Sequence, residues 1–169
     1  MTSHFIFAPH VDDEAIGCFQ LLRQADHCLV IYCEKPTKQR RKEADAAAKA
    51  FSFGYVFADD EPLEDVIHGT ISTMSEEAIC WAPDPHWELH PLHKIVSSLV
   101  YVNCLRYDIR FGTYTTNMNT PYLRQLTAQE SYEKCETLNK IYPSQAGLWE
   151  TDHKYFLFEG RVEWNPPVD

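Results

Sequence analysis

Hydrophobic and polar residues in the first third of the chain form two kinds of pattern. The apolar runs His4–Ala8, His27–Cys33 and Tyr55–Ala58 are rich in aromatic and β-branched residues, which favours buried β-strands. Between them, residues 14–25 and the alanine-rich segment 38–53 have the spacing of helix faces. This strand–helix–strand–helix–strand order predicts right-handed crossovers in a mostly parallel sheet, and therefore an α/β, Rossmann-like fold of three layers.

The remainder of the chain has a less regular pattern of apolar residues. It predicts a helix with a following loop in 62–74, a strand in 78–82, a helix in 91–104 and a strand in 108–115. Residues 127–141 favour a helix, because a threonine and a glutamate three residues later form a capping box at its start. Residues 155–158 form a short apolar segment of undefined type, and residues 164–169 are predicted to be an irregular tail. No repeat or linker interrupts residues 1–169, so they are predicted to form one domain.

A first polar cluster, Ala8-Pro9-His10-Val11-Asp12-Asp13-Glu14, follows the first predicted strand directly. Ligands of open α/β sheets bind beyond the carboxyl ends of the strands. His10 and Asp13 are three residues apart across a strand-to-helix turn, so both side chains can converge on one metal ion. Asp12 then stays free, and a free carboxylate is the general base that a metal-dependent hydrolase needs. Equally, Asp12 and Asp13 could simply cap the following helix and complement its dipole.

A second cluster follows the fourth predicted strand and contains the three histidines His86, His90 and His93 within eight residues. His90 and His93 are three residues apart at a helix start, so they can face the same side. Both clusters come after strand ends, and the carboxyl ends of parallel strands share one edge of the sheet. The sequence therefore predicts a site for zinc or another divalent metal, although two polar loops could also coincide by chance.

These residues resemble the PIG-L/LmbE-type zinc N-deacetylases. The signature of that family is a strand, Ala-His-Pro-Asp-Asp-Glu and a helix, later followed by His-Pro-Asp-His; residues 8–14 and 90–93 resemble the two motifs here. More weakly, Arg40-x-x-Glu43 resembles an Arg-x-x-Glu helix of the family, residues 140–145 resemble a late Lys…Ser-Gln segment, and Glu159 resembles a near-terminal glutamate. The resemblance implies an LmbE-like fold and a single deacetylase domain.

Carried over position by position, the resemblance implies zinc bound by His10, Asp13 and His93. Asp12 is then expected to be the general base and later the proton donor to the leaving amine. His90 is expected to stabilise the oxyanion, and Arg40 is a candidate for contacting the substrate.

The chain departs from the family pattern at two motif positions and in its length. Val11 replaces a proline at a position where the mechanism needs no side-chain chemistry. Leu92 replaces an aspartate that supports a histidine in the family, so His90 is expected to be less basic or to be oriented by another group. The chain is also short for the family, which leaves the sugar pocket undefined. Among the aromatic residues, Trp87 is the best candidate for stacking on a sugar because it lies in the histidine loop, although packing is the commoner role.

Composition excludes several classes of function. The net charge of −10 argues against nucleic-acid binding, and the basic run Lys38–Lys42 is interpreted as a solvated helix face. The sequence has no apolar run long enough to span a bilayer and no signal-peptide pattern, so a cytoplasmic protein is expected. The six cysteines include no C-x-x-C pair, which argues against a structural zinc ribbon. The expected partner is a small N-acetylated molecule, and the oligomeric state stays open.

The sequence thus favours a zinc-dependent hydrolase that removes an acetyl group from an N-acetylated amino sugar or its conjugate. One alternative is a catalytically degenerate, metal-binding member of the family. Another is a hydrolase of a different small amide, such as a nucleotide-linked one. A nucleotide-dependent transferase is disfavoured, because the turn after the first strand has two carboxylates instead of a glycine-rich phosphate loop.

Overall fold

Seven strands form a single sheet in residues 2–164, the part of the chain that the computed structural model describes. The strands are β1 His4–Ala8, β2 Cys28–Tyr32, β3 Gly54–Phe57, β4 Ile79–Pro83, β5 Arg110–Thr115, β6 Leu123–Gln125 and β7 Phe158–Trp164. Their order in the sheet is β3-β2-β1-β4-β5-β7-β6. Strands β1 to β5 pair in parallel, whereas β7 is antiparallel to both β5 and β6. The prediction of an α/β fold with a mostly parallel, Rossmann-like sheet is confirmed.

Helices cover both faces of this sheet. They are α1 Asp13–Gly17, α2 Phe19–Gln24, α3 Lys38–Phe51, α4 Leu63–Ile71, α5 Pro91–Tyr107, α6 Ala128–Ile141, the 3-10 helix Pro143–Gln145, α7 Ala146–Thr151 and α8 Lys154–Leu157. Buried residues of α1, α2, α3 and α6 pack on one face, and those of α4 and α5 pack on the other, which gives the predicted three layers. Within residues 2–164, no helix combines the length and the apolar character needed to cross a bilayer.

The helix predicted over residues 14–25 is broken into α1 and α2 at Cys18. The break follows Gly17, and glycine has a low helix propensity. Gly17 is needed at this point, because a Cβ atom there would lie 2.3 Å from Cδ2 of Tyr114. The close approach lets α1, which carries part of the first polar cluster, pack directly against the middle of the sheet.

The C-terminal part differs most from the prediction. Residue Trp164 ends strand β7 instead of beginning an irregular tail, and residues 165–169 lie outside the described residues. The segment 155–158 of undefined type contains most of α8 and the first residue of β7. The capping box is confirmed: Thr127 Oγ1 accepts from the N–H of Glu130, and the Glu130 carboxylate accepts from the N–H of Thr127.

A fully buried lysine ties α1 to this end of the chain. Lys134 of α6 donates from Nζ to the carbonyl oxygens of Ile16, at 2.7 Å, and Phe158, at 2.9 Å. Burial lowers the pKa of Lys134 to about 8, although the carboxylate of Glu159 opposes this shift. The end of α1 is therefore held in place by a lysine whose burial disfavours its charged form.

This buried lysine predicts a pH-dependent stability. Between pH 8 and 10.5, the lowered and ordinary pKa values of Lys134, this side chain binds more protons in the unfolded chain than in the folded chain. We expect the free energy of unfolding to rise across this range by about 3 kcal/mol relative to Lys134→Met, at about 1.4 kcal/mol per pKa unit. Urea unfolding at several pH values measures the difference. The exposed Lys140→Met on the same helix is the control, and a difference independent of pH would contradict the buried titration.

Candidate metal centre

Two strand ends bring the predicted clusters together. Strands β1 and β4 are neighbours in the sheet, so the loops after Ala8 and Pro83 leave from the same edge. His10 Nδ1 lies 3.1 Å from His93 Nε2, and each of these nitrogens lies 3.3 Å from Oδ2 of Asp13. Three potential ligand atoms therefore form a nearly equilateral triangle, which we call the ligand triangle.

The ligand triangle has the size expected for one face of a zinc site. Two ligands at about 2.1 Å from a tetrahedral zinc ion lie roughly 3.4 Å apart. Two imidazole nitrogens and one carboxylate oxygen are also a donor set that zinc accepts in catalytic sites, where a fourth position stays open. The residues present thus fit a zinc ion.

His90 is a third histidine at the same place. One ring nitrogen from each of His10, His90 and His93 lies within 4.8 Å of the other two. These three histidines, the histidine group, could hold a metal ion. His90 is exposed, and its Nδ1 accepts from the N–H of Leu92 at 3.2 Å as the N-cap of α5. A neutral imidazole that accepts at Nδ1 carries its proton at Nε2. This bond therefore favours a role for His90 as a hydrogen-bond donor rather than as a metal ligand.

Charges within the triangle shift the pKa values of its members. Burial disfavours the charged form of His93, but hydrogen bonds to Asp13 and Glu88 outweigh it and raise the pKa of His93 to about 10. Burial would raise the pKa of Asp13, but its bonds with His10 and His93 hold it well below the usual range. Desolvation and the charges of His10 and His93 lower the pKa of His90. Asp13 is therefore an anion, which is the form in which a carboxyl group binds a metal ion.

Asp12 does not cap the helix that follows it. It occupies the N-cap position of α1, but its side chain caps no N–H of that helix. Instead Oδ1 accepts from Nη2 of Arg40 at 3.2 Å. Its backbone has a φ of 128°, a left-handed conformation that is costly for a residue other than glycine. The N–H of Asp12 donates to Oε2 of Glu14 at 3.0 Å, and this fixes the strained turn.

The surroundings of Asp12 shift its pKa upward. Burial and the neighbouring Asp13 carboxylate raise the pKa of Asp12 well above its usual value, and Arg40 partly offsets them. Such a shift brings a carboxyl group closer to the pKa that suits a general base at neutral pH. Strain and a perturbed pKa both concentrate at functional sites.

Arg40 connects Asp12 with Glu43 of the Arg-x-x-Glu segment and, through Glu43, with residues 140–145. Its Nη1 lies 3.4 Å from Oε2 of Glu43, and its Nε lies 3.9 Å from Oε1 of Glu34. The buried Glu43 accepts in turn from the N–H and the hydroxyl of Ser144, at 2.9 Å and 2.8 Å. The structure thus brings Arg40 beside Asp12, whereas its contact with a substrate stays a prediction.

Sequence analysis missed Glu88, a buried carboxylate behind the ring of His93. Its Oε2 lies 3.0 Å from Nδ1 of His93 and accepts from the hydroxyl of Thr116. Its Oε1 accepts from the hydroxyl of Thr115 and from the N–H groups of Thr116 and Asn117. Glu88 lies between His86 and His90 in the sequence, but it belongs to no motif position, and most of its partners come from residues 115–117 at and after the end of β5.

The remaining candidates do not belong to the ligand triangle. His86 is exposed, its N–H donates to Oδ1 of Asp84, and it does not join the histidine group. Trp87 is half-buried and packs edge-on against the exposed ring of Tyr122, with centroids 6.3 Å apart. Glu159 is buried beside α2, where it accepts from the N–H of Gln20. Stacking of Trp87 on a sugar stays a prediction.

Comparisons with known proteins do not name a family. No protein-family model and no curated protein matches the chain. A solved structure of a predicted subunit of a tRNA methyltransferase from Methanocaldococcus jannaschii is similar over 99% of this chain and 98% of its own. The identity is 14% and the TM-score is 0.40, so this similarity carries no argument about function.

Proposed function

We propose that this protein is a zinc-dependent hydrolase with an LmbE-like fold that removes an acetyl group from an N-acetylated amino sugar or amino-sugar conjugate. The observation that carries the proposal is the ligand triangle of His10, Asp13 and His93 beside the buried carboxylate of Asp12. The match of the two motifs to the PIG-L/LmbE pattern supports it. A zinc ion bound there would lower the pKa of a coordinated water and polarise the amide carbonyl.

Asp12 has the position and environment for the proton transfers of amide hydrolysis. It lies next to the ligand Asp13 in sequence but is absent from the triangle, and Arg40 occupies only its Oδ1. Its second oxygen is then available to take a proton from the attacking water. The same carboxyl group returns that proton to the nitrogen of the leaving amine, so amine and acetate are released and Asp12 is regenerated.

His90 has the geometry for stabilising the developing oxyanion. Its Nδ1 is bound to the N–H of Leu92, which leaves Nε2–H as the donor toward the triangle. The lowered pKa of His90 indicates a neutral donor at pH 7. Leu92 itself packs against the core between α5 and the sheet and offers no carboxylate to His90.

A substitution of His90 separates the roles of donor and ligand. His90→Asn keeps a side chain suited to the N-cap but removes the imidazole. We expect kcat to fall by about 10²–10³-fold, the usual loss for one oxyanion donor, with zinc affinity unchanged. Steady-state kinetics and a zinc competition titration measure the two quantities. A large loss of zinc affinity would instead make His90 a ligand.

A substrate panel tests the reaction class. Zinc-loaded protein is incubated with N-acetylated amino sugars, their conjugates and nucleotide-linked forms, and free amine and acetate are measured in each reaction. Equal amounts of both products support the proposal and identify the substrate class. Hydrolysis confined to the nucleotide-linked amides favours the hydrolase of another small amide. Bound zinc without turnover of any compound favours the catalytically degenerate member, for which the absence of the aspartate at Leu92 is the motivating feature.

A further inference from the structure

We propose that Glu88 fixes the ring nitrogen through which His93 binds the metal, and that it acts as a positioning residue. This inference rests on the proposed metal site but goes beyond it, since position 88 belongs to neither motif of the resemblance. Glu88 is 3% exposed and lies five residues before His93. It contacts His93 at Nδ1, which is not one of the three atoms of the ligand triangle.

The two nitrogens of the His93 ring face different carboxylates. Nδ1 lies 3.0 Å from Oε2 of Glu88, and Nε2 lies 3.3 Å from Oδ2 of Asp13. A neutral imidazole has one N–H and one lone pair, and a carboxylate can only accept. When a metal ion takes the place of the Nε2 proton, Glu88 would hold the remaining proton at Nδ1 and direct the lone pair of Nε2 into the triangle. Such outer partners of ligating histidines set both the tautomer and the ring orientation.

Both oxygens of Glu88 are held by donors. The two backbone N–H groups of Thr116 and Asn117 donate to Oε1, at 2.5 Å and 3.3 Å. The hydroxyl of Thr116 donates to Oε2 at 3.0 Å, beside the His93 ring. The carboxylate therefore cannot turn away from His93 without losing bonds to the segment after β5. Asn117 also donates from Nδ2 to the carbonyl of Trp87, which anchors the loop on the other side.

This arrangement requires a side chain that only accepts. A glutamine at position 88 has one oxygen and one NH₂ group. Either the NH₂ group meets the backbone donors of Thr116 and Asn117, or it meets Nδ1–H of His93. In the second orientation two donors face each other unless the proton of the His93 ring moves to Nε2. That move removes the Nε2 lone pair from the triangle.

Zinc affinity of the full chain tests this role. Competition with a chromophoric chelator gives the dissociation constant for the parent, Glu88→Gln and the control Glu159→Gln, which alters a buried carboxylate beside Lys134. We expect Glu88→Gln to bind zinc 10–100-fold more weakly, the usual cost of removing such a partner, and Glu159→Gln to match the parent. The visible absorption of Co²⁺ bound in place of zinc is expected to change only in Glu88→Gln.

The outcomes separate this inference from the proposed function. If the parent binds no zinc, the proposed metal site is wrong and the role of Glu88 falls with it. If the parent binds zinc and Glu88→Gln binds it equally well with the same Co²⁺ spectrum, only the positioning role is overturned. Should Glu88→Gln fail to fold, Thr116→Val decides, because it removes one donor to Oε2 and leaves Glu88 in place. Weaker zinc binding in Thr116→Val then supports the role, and unchanged binding overturns it.

Discussion

Asp12→Asn is expected to lower kcat by about 10²–10⁴-fold while zinc stays bound, because a general base contributes about that much. The amide oxygen can still accept from Arg40, so the local structure is kept and the proton acceptor alone is lost. Zinc content is expected to match the parent, since Asp12 does not belong to the ligand triangle. Steady-state kinetics and metal analysis on the same preparation measure both.

Asp59→Asn is the matched control for this substitution. Asp59 also has a positive φ, of 51°, and also pairs with an arginine of α3, Arg41. It follows β3, two strands away from β1, and lies outside the site. We expect Asp59→Asn to keep the parent rate. Turnover by Asp12→Asn at the parent rate would show that the base has been assigned wrongly.

His93→Ala is expected to abolish stable zinc binding and, with it, the activity. The substitution removes one corner of the ligand triangle and the imidazole that the buried Glu88 carboxylate contacts. The affinity loss should therefore exceed the 10–100-fold that is typical for an outer partner alone. A zinc titration of the metal-free protein measures the loss.

His86→Ala is the control for His93→Ala. His86 lies in the loop before α5, is exposed and is outside the histidine group, so zinc affinity and kcat are expected to stay at parent values. Circular dichroism shows whether both variants keep the fold. Equal zinc affinity of His93→Ala and the parent would contradict the ligand triangle.

The parts of the site that depend on local geometry could be predicted from the sequence. His10, Asp12 and Asp13 lie in one turn after a strand whose apolar pattern is clear. Their meeting with His93 followed from a general property of parallel sheets, and the adjacency of β1 and β4 confirms it. Glu88 could not be found in this way, because its bonds to residues 115–117 join segments that are far apart in the sequence.

Prediction from the sequence was also less successful for the C-terminal strands of the sheet, β6 and β7. The crossover units of β1 to β3 carry strong periodic signals, whereas β6 has only three residues and obtains its stability from β7. Residues 158–164 do alternate between apolar and charged side chains, which is a strand signal. The interpretation of Trp164 as the start of a tail overlooked it. In the folded chain Glu159 is nevertheless buried, because Lys134 of α6 provides a counter-charge on that face.

The most direct test of the zinc hydrolase is to measure acetate release as a function of zinc occupancy. Metal-free protein is titrated with zinc in the presence of an N-acetylated amino sugar conjugate that the substrate panel has identified. We expect the rate to rise in proportion to bound zinc and to reach its plateau at one zinc ion per chain. A rate that is independent of zinc, or a chain that binds no stoichiometric zinc, would contradict the proposed function.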